Sequence, residues 1–144
     1  MHAKKGAPSA PPVARYGGVR IAGVTEAAPG EGMHLPLREQ ILEQVLHVIE
    51  LARPLVDSIG RRDRDLASQV RRALSSVGLN VAEGFGSAAG NARLRFESAR
   101  GSVYEARAGI RIAVAWGYVS AEDAAEALGA LDRLGGRVFG LVRG

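Results

Sequence analysis

From Leu37 to the end of the chain, apolar residues recur at alternating steps of four and three. That spacing places them on one stripe of an α-helix. Ile41, Val45, Val48, Ala52, Leu55 and Ile59 form the first row, widened by Leu42, Ile49 and Val56. Pro54 interrupts it, which predicts a kink or a restart, and Gly60 marks a stop. Leu66, Val70, Ala73, Val77, Asn80 and Gly84 form the second row, with Asp63 or Asp65 placed to cap its start. The third begins near Ala89 or Asn91, with Asn91 a candidate cap. It runs through Ala99, Val103, Ala106, Ile110, Ala113 and Gly117, with Phe96 one step earlier. Ala99, Ala106 and Ala113 fall at successive heptads, a narrow face that lets helices approach closely. Ser120 and Asp123 resemble a capping box before the fourth row, Ala124, Leu128, Leu131, Gly135, Val138 and Val142. Four amphipathic helices of roughly 20 to 28 residues, joined by short turns, predict an all-α, antiparallel up-down four-helix bundle over residues 37–144.

The first 36 residues differ. They hold five of the six prolines and six glycines, a composition that buries too little apolar area to offset its ordering entropy. A flexible, disordered Pro/Gly-rich tail is expected over 1–36, in which only the alternating run Val19–Val24 could pair as an edge strand with a partner.

Composition narrows the chemistry. The chain has 144 residues and no cysteine, which removes disulfides, thiolate metal sites and a cysteine nucleophile. The three histidines are His2, His34 and His47, and no bundle-type paired-His or Glu-x-x-His metal pattern occurs. No catalytic residue, metal or cofactor is therefore assigned, and a non-enzymatic role is expected. No apolar run approaches the ~20 residues needed to span a bilayer, and the N-terminus lacks a signal-type apolar block. A cytoplasmic protein without a membrane partner is the expectation.

Charge changes the picture further. Seventeen of nineteen basic residues are arginines. Coding bias produces such a ratio, but arginine's planar fork also suits two-point phosphate recognition. Residues 61–111 carry ten basic and five acidic groups, net +5. Within them Arg93, Arg100, Arg107 and Arg111 follow seven-, seven- and four-residue steps along the third helix. With Arg71 they are the candidate nucleic-acid contacts, alongside the blander reading of a solvated, partly ion-paired face.

Beside the apolar row of the second helix runs a polar one: Gln69, Arg72, Ser76, Asn80, Glu83 and Ser87. It is either an ordinary helix flank or a buried polar network that fixes register or subunit contacts, with Glu83 paired to Arg72 or to an arginine of helix three. Glu83 has no second acid, base or metal ligand beside it in the pattern. Trp116 and Tyr118, between helices three and four, are expected to plug one end of the bundle.

The stretch Gln69–Gly86, QVRRALSSVGLNVAEGFG, resembles the helix-two pattern Q-x-x-R-A-x-x-S-x-x-x-N-I-A-E-G-F-G of the four-helix-bundle proteins encoded in 23S rRNA intervening sequences. Arg95–Glu105, RFESARGSVYE, resembles the family's helix-three pattern R-F-x-x-x-A-x-G-S-x-x-E. Helices one and four match in length and amphipathic pattern. Ser87 stands where the family often has a basic residue, and Asn91-Ala92 replaces a polar, acidic run. The resemblance implies a left-handed up-down bundle assembled as a homopentamer. It adds Gly84, Gly101, Ser102 and Glu105 to the structural or oligomer set. A more distant similarity to the accessory variability determinants of diversity-generating retroelements implies RNA or DNA and a reverse transcriptase as partners. The competing expectation is a protein-interaction scaffold that presents the N-terminal tail to another protein.

Overall fold

The computed structural model describes residues 14–16, 19–21 and 35–144. Ala14–Tyr16 (β1) and Val19–Ile21 (β2) pair antiparallel, Arg15 opposite Arg20. Val19–Ile21, the described part of the run expected to pair, has its partner strand in the chain's own preceding segment. The rest of the expected tail lies outside the described residues.

Four helices follow: α1 Leu37–Gly60, α2 Arg64–Gly86, α3 Ala89–Ala115 and α4 Ala121–Arg143. Pro36 leads into α1 with an extended backbone, and Gln40 Nε2 donates to the Leu35 carbonyl at 2.6 Å. α1 neither stops nor restarts at Pro54. Pro54 is exposed, and lacking an N–H it leaves only the Glu50 carbonyl without its intrahelical donor. Asp63 caps α2, accepting from Leu66 N at 2.9 Å, and Ser120 caps α4, accepting from Asp123 N at 3.0 Å. Asn91 is not a cap: Ala88 holds that position without a side-chain bond, and Asn91 lies in the first turn of α3. The helix starts as soon as the chain leaves the extended Ser87 and Ala88, before Asn91 is reached.

Gly117 also departs from its expected place in the third row. It is exposed, with φ of +77°, and closes α3 through Gly117 N to Val114 O at 3.0 Å and Tyr118 N to Ala113 O at 2.9 Å. That pair of bonds needs a left-handed residue just past the helix, which glycine adopts without steric cost.

Connections of three, two and five residues make sequential helices antiparallel neighbours, and α4 packs back on α1 to close the bundle. The core takes most of the expected rows, including Ile41, Val45, Val70, Val77, Ile110, Leu131 and Val138, whereas Leu66, Asn80, Leu128, Gly135 and Val142 of those rows are half-buried. It is wider than those rows, because Ala67, Leu74, Val81, Gly109, Ala127, Ala130 and Leu134 are buried too. α2 and α3 approach closely. A Cβ at Gly109 would lie 2.6 Å from Val70 Cγ2, and one at Gly84 would collide with the Phe96 ring. Arg137 fastens α4 to α1, its Nη1 and Nη2 donating to Gln44 Oε1 and Gln40 Oε1 at 3.2 Å each.

Candidate functional site

Arg100 and Arg107 of α3 meet side chains of α4, and each of the four ridge arginines has a different environment. Arg93 Nε is 3.4 Å from Glu97 Oε1, the carboxylate one turn on. Arg107 Nε donates to Asp132 Oδ1 of α4 at 2.6 Å. Arg100 has no carboxylate within 4.0 Å among the described residues. Its guanidinium carbon lies 4.8 Å from the Phe139 ring centroid and 5.5 Å from that of Tyr104. Its Nη2 donates to Tyr104 Oη at 3.4 Å, while its Nε is shielded from solvent without a partner. Arg111 is exposed and likewise has no carboxylate partner among the described residues.

Arg71 is not part of this ridge. It lines a groove between α1 and α2 with Arg53, Asp57 and Leu74. The five arginines therefore do not share one surface of a protomer. At 100° per residue, Arg71 falls on the α1-facing flank of α2, whereas the ridge faces α4.

The polar row of α2 divides. Asn80 Nδ2 donates to the Ser76 carbonyl at 2.9 Å and to Ser76 Oγ at 3.0 Å. Ser76 Oγ also accepts from Ser102 Oγ of α3 at 2.9 Å. Glu83 Oε2 pairs with Arg95 Nε at 2.9 Å across the two-residue α2–α3 turn, not with Arg72. Ser87 Oγ donates to the Glu83 carbonyl at 2.6 Å. Gln69, Arg72, Gly101 and Glu105 are exposed, and Gly84 is buried. No polar or charged residue is buried among the described residues, so within one protomer the row is a half-buried flank rather than an interior network. Around the helix Arg72 and Glu83 lie on the outer side of Ser76 and Asn80, whereas Gln69 shares their angle and is exposed nearer the start of α2.

Trp116 does not plug the bundle. It is 69% exposed and stacks with Tyr118, centroids 6.4 Å apart, while Tyr118 packs against the core. The Gly117 turn points the indole outward. Leu79, Leu94 and Ile112 are also large and exposed, at 66%, 62% and 45%, on the outer faces of α2 and α3. The expected pairing of Glu83 with an arginine of helix three is made by Arg95, while Tyr104, Phe139 and Arg143 were not anticipated as neighbours of the charged sites. Tyr104 was detectable, lying one turn after Arg100. Phe139 and Arg143 depend on which helix flanks α3. Among the described residues, no cluster of His, Asp and Glu could hold a metal, and no helix is long and apolar enough to cross a membrane.

The family model for 23S rRNA-intervening sequence proteins matches residues 37–140, from the start of α1 to within the last turn of α4. No curated protein matches the chain. The fold is similar to the crystal structure of a protein of unknown function from the S23 ribosomal protein family of Bacteroides thetaiotaomicron. That similarity has a TM-score of 0.65 and 11% identity over 72% of this chain and 99% of the other. With its four helices in the matched segment, and the Asn80–Glu83–Gly84 stretch and Arg95-Phe96 pair meeting at one turn, the chain belongs to the 23S rRNA-intervening sequence protein family.

Proposed function

We propose that the protein is a non-enzymatic homo-oligomer, a pentamer as the family resemblance implies, that binds nucleic acid or a nucleic-acid enzyme such as a reverse transcriptase through its arginine surfaces. The observation that carries this reading is the ridge on α3. Arg93, Arg100, Arg107 and Arg111 follow one side of a 27-residue helix, and two of them lack a carboxylate partner among the described residues. Four arginines on one protomer attract a polyanion weakly. Repetition around a ring multiplies both the contacts and the counterions released on binding. Self-association has its own support in Leu79, Leu94 and Ile112, exposed apolar side chains that a second copy would cover.

The test is solution mass, followed by retention on RNA across a salt series. An oligomer whose RNA affinity falls steeply with salt is expected. Replacing Leu79 and Leu94 by Glu should yield a folded species of lower mass that binds RNA more weakly. A wild-type monomer, or an affinity indifferent to salt and to loss of Arg93 and Arg111, contradicts the reading.

A further inference from the structure

The cleft between α3 and α4 differs from the rest of the ridge, and its make-up is specific enough to name a ligand. Arg100, Tyr104, Arg107, Asp132, Gly136 and Phe139 border a space of about 310 Å³. That is the size of a small ligand cavity.

Three features set its chemistry. Arg100 is held by two aromatic rings instead of an acid, so its position is fixed while its charge stays unneutralised. Arg107 is already satisfied by Asp132, which leaves Arg100 as the cation available to an incoming oxyanion. Tyr104 is 57% exposed beside it, an aromatic residue next to a guanidinium. Arg143, 5.6 Å from the Phe139 centroid, adds a second positive group on the α4 side. Heptad steps put Arg93 and Arg107 about 10.5 Å along the helix in either direction.

We propose that this cleft holds one nucleotide unit of a single strand, with the base stacked on Tyr104 and the phosphate on the Arg100 guanidinium. The inference rests on the nucleic-acid reading above and sharpens it from duplex-or-strand to strand. Inside a duplex both faces of a base are covered by its stacked neighbours, whereas a single strand can present a free face, and aromatic stacking beside arginine is how single strands are held without sequence preference. The small volume admits one base, and Gly136 leaves its rim open, with no heavy atom within 4 Å of the place its Cβ would take.

The test uses the full chain, a fluorescein-labelled twelve-nucleotide oligouridine and an RNA duplex of equal length, with anisotropy as readout. Tyr104→Ala should weaken oligouridine binding by about 5- to 150-fold, the range for one lost base stack, and leave duplex binding unchanged. Tyr104→Phe should retain affinity, since the ring remains. Arg100→Gln should weaken binding and lower the slope of log affinity against log salt by about 0.7, one phosphate contact on a single strand. Thermal unfolding of each variant confirms the fold, which an exposed tyrosine does not support. If Tyr104→Ala binds like wild type while Arg93→Gln with Arg111→Gln weakens binding, the cleft inference falls and the charged-ridge reading stands. If wild type binds neither probe, both fall.

Discussion

The ring of Phe96 occupies the space that a side chain at Gly84 would need. Phe85 packs against the same ring edge-on, centroids 5.2 Å apart, so it cannot retreat freely. Gly84→Ala should therefore destabilise the protein. Helix propensity alone favours alanine by about 1 kcal/mol. Overpacking costs about 1–3 kcal/mol and wins. Urea unfolding should show the loss, and Phe96→Leu in the same background should recover part of it through coupling of the two sites. An alanine variant as stable as wild type would show that the ring moves aside without cost.

Asn80 is tied to Ser76 by two bonds, and Ser76 to Ser102 by a third that crosses from α2 to α3. Asn80→Ala removes the two local bonds but gains helix propensity, so protomer stability should fall by no more than about 1 kcal/mol. Ser102→Ala should cost about as much, through loss of its bond to Ser76 Oγ. If Asn80 also meets a second copy, Asn80→Ala should lower the oligomer mass by light scattering at concentrations where melting is nearly unchanged. Mass and melting both unaltered would remove Asn80 from assembly.

Asp132 neutralises Arg107 from α4, with the aspartate side chain more than half exposed. Exposed pairs of this kind contribute only about 0–1 kcal/mol. Asp132→Asn should thus melt close to wild type while freeing a third cation on the ridge, after Arg100 and Arg111. RNA affinity should rise at low salt, and its salt dependence should steepen by about one phosphate contact. A variant that binds RNA more weakly would mean that Asp132 orients Arg107 for the ligand instead of masking it.

The bundle was legible because the spacing of Ile41, Val45, Val48, Ala52, Leu55 and Ile59 has one structural solution; the Ser120 cap follows from local chemistry, while the structure decides for Asp63 over Asp65. Ala67, Leu74, Val81, Ala130 and Leu134 escaped a single-row reading. Each helix faces two neighbours, so its buried stripe is wider than one row. Gly117 fits a helical period as well as it fits a helix stop, and only backbone geometry separates the two. Partners of the arginines were the least legible. Glu97 follows from a four-residue step, but Asp132 and Phe139 lie 25 and 39 positions from Arg107 and Arg100, and only the packing of α4 beside α3 brings them there.

The two-residue link between α2 and α3 bears on the order in which the chain assembles. Closing so short a loop forfeits little chain entropy, and Glu83–Arg95 and Phe85–Phe96 reward it at once. The α1–α4 clamp joins Arg137 to residues 93 and 97 positions away and completes only when the whole chain has collapsed. This hairpin is thus the natural folding nucleus: lesions at Phe96 should slow refolding, whereas lesions at Arg137 should chiefly hasten unfolding.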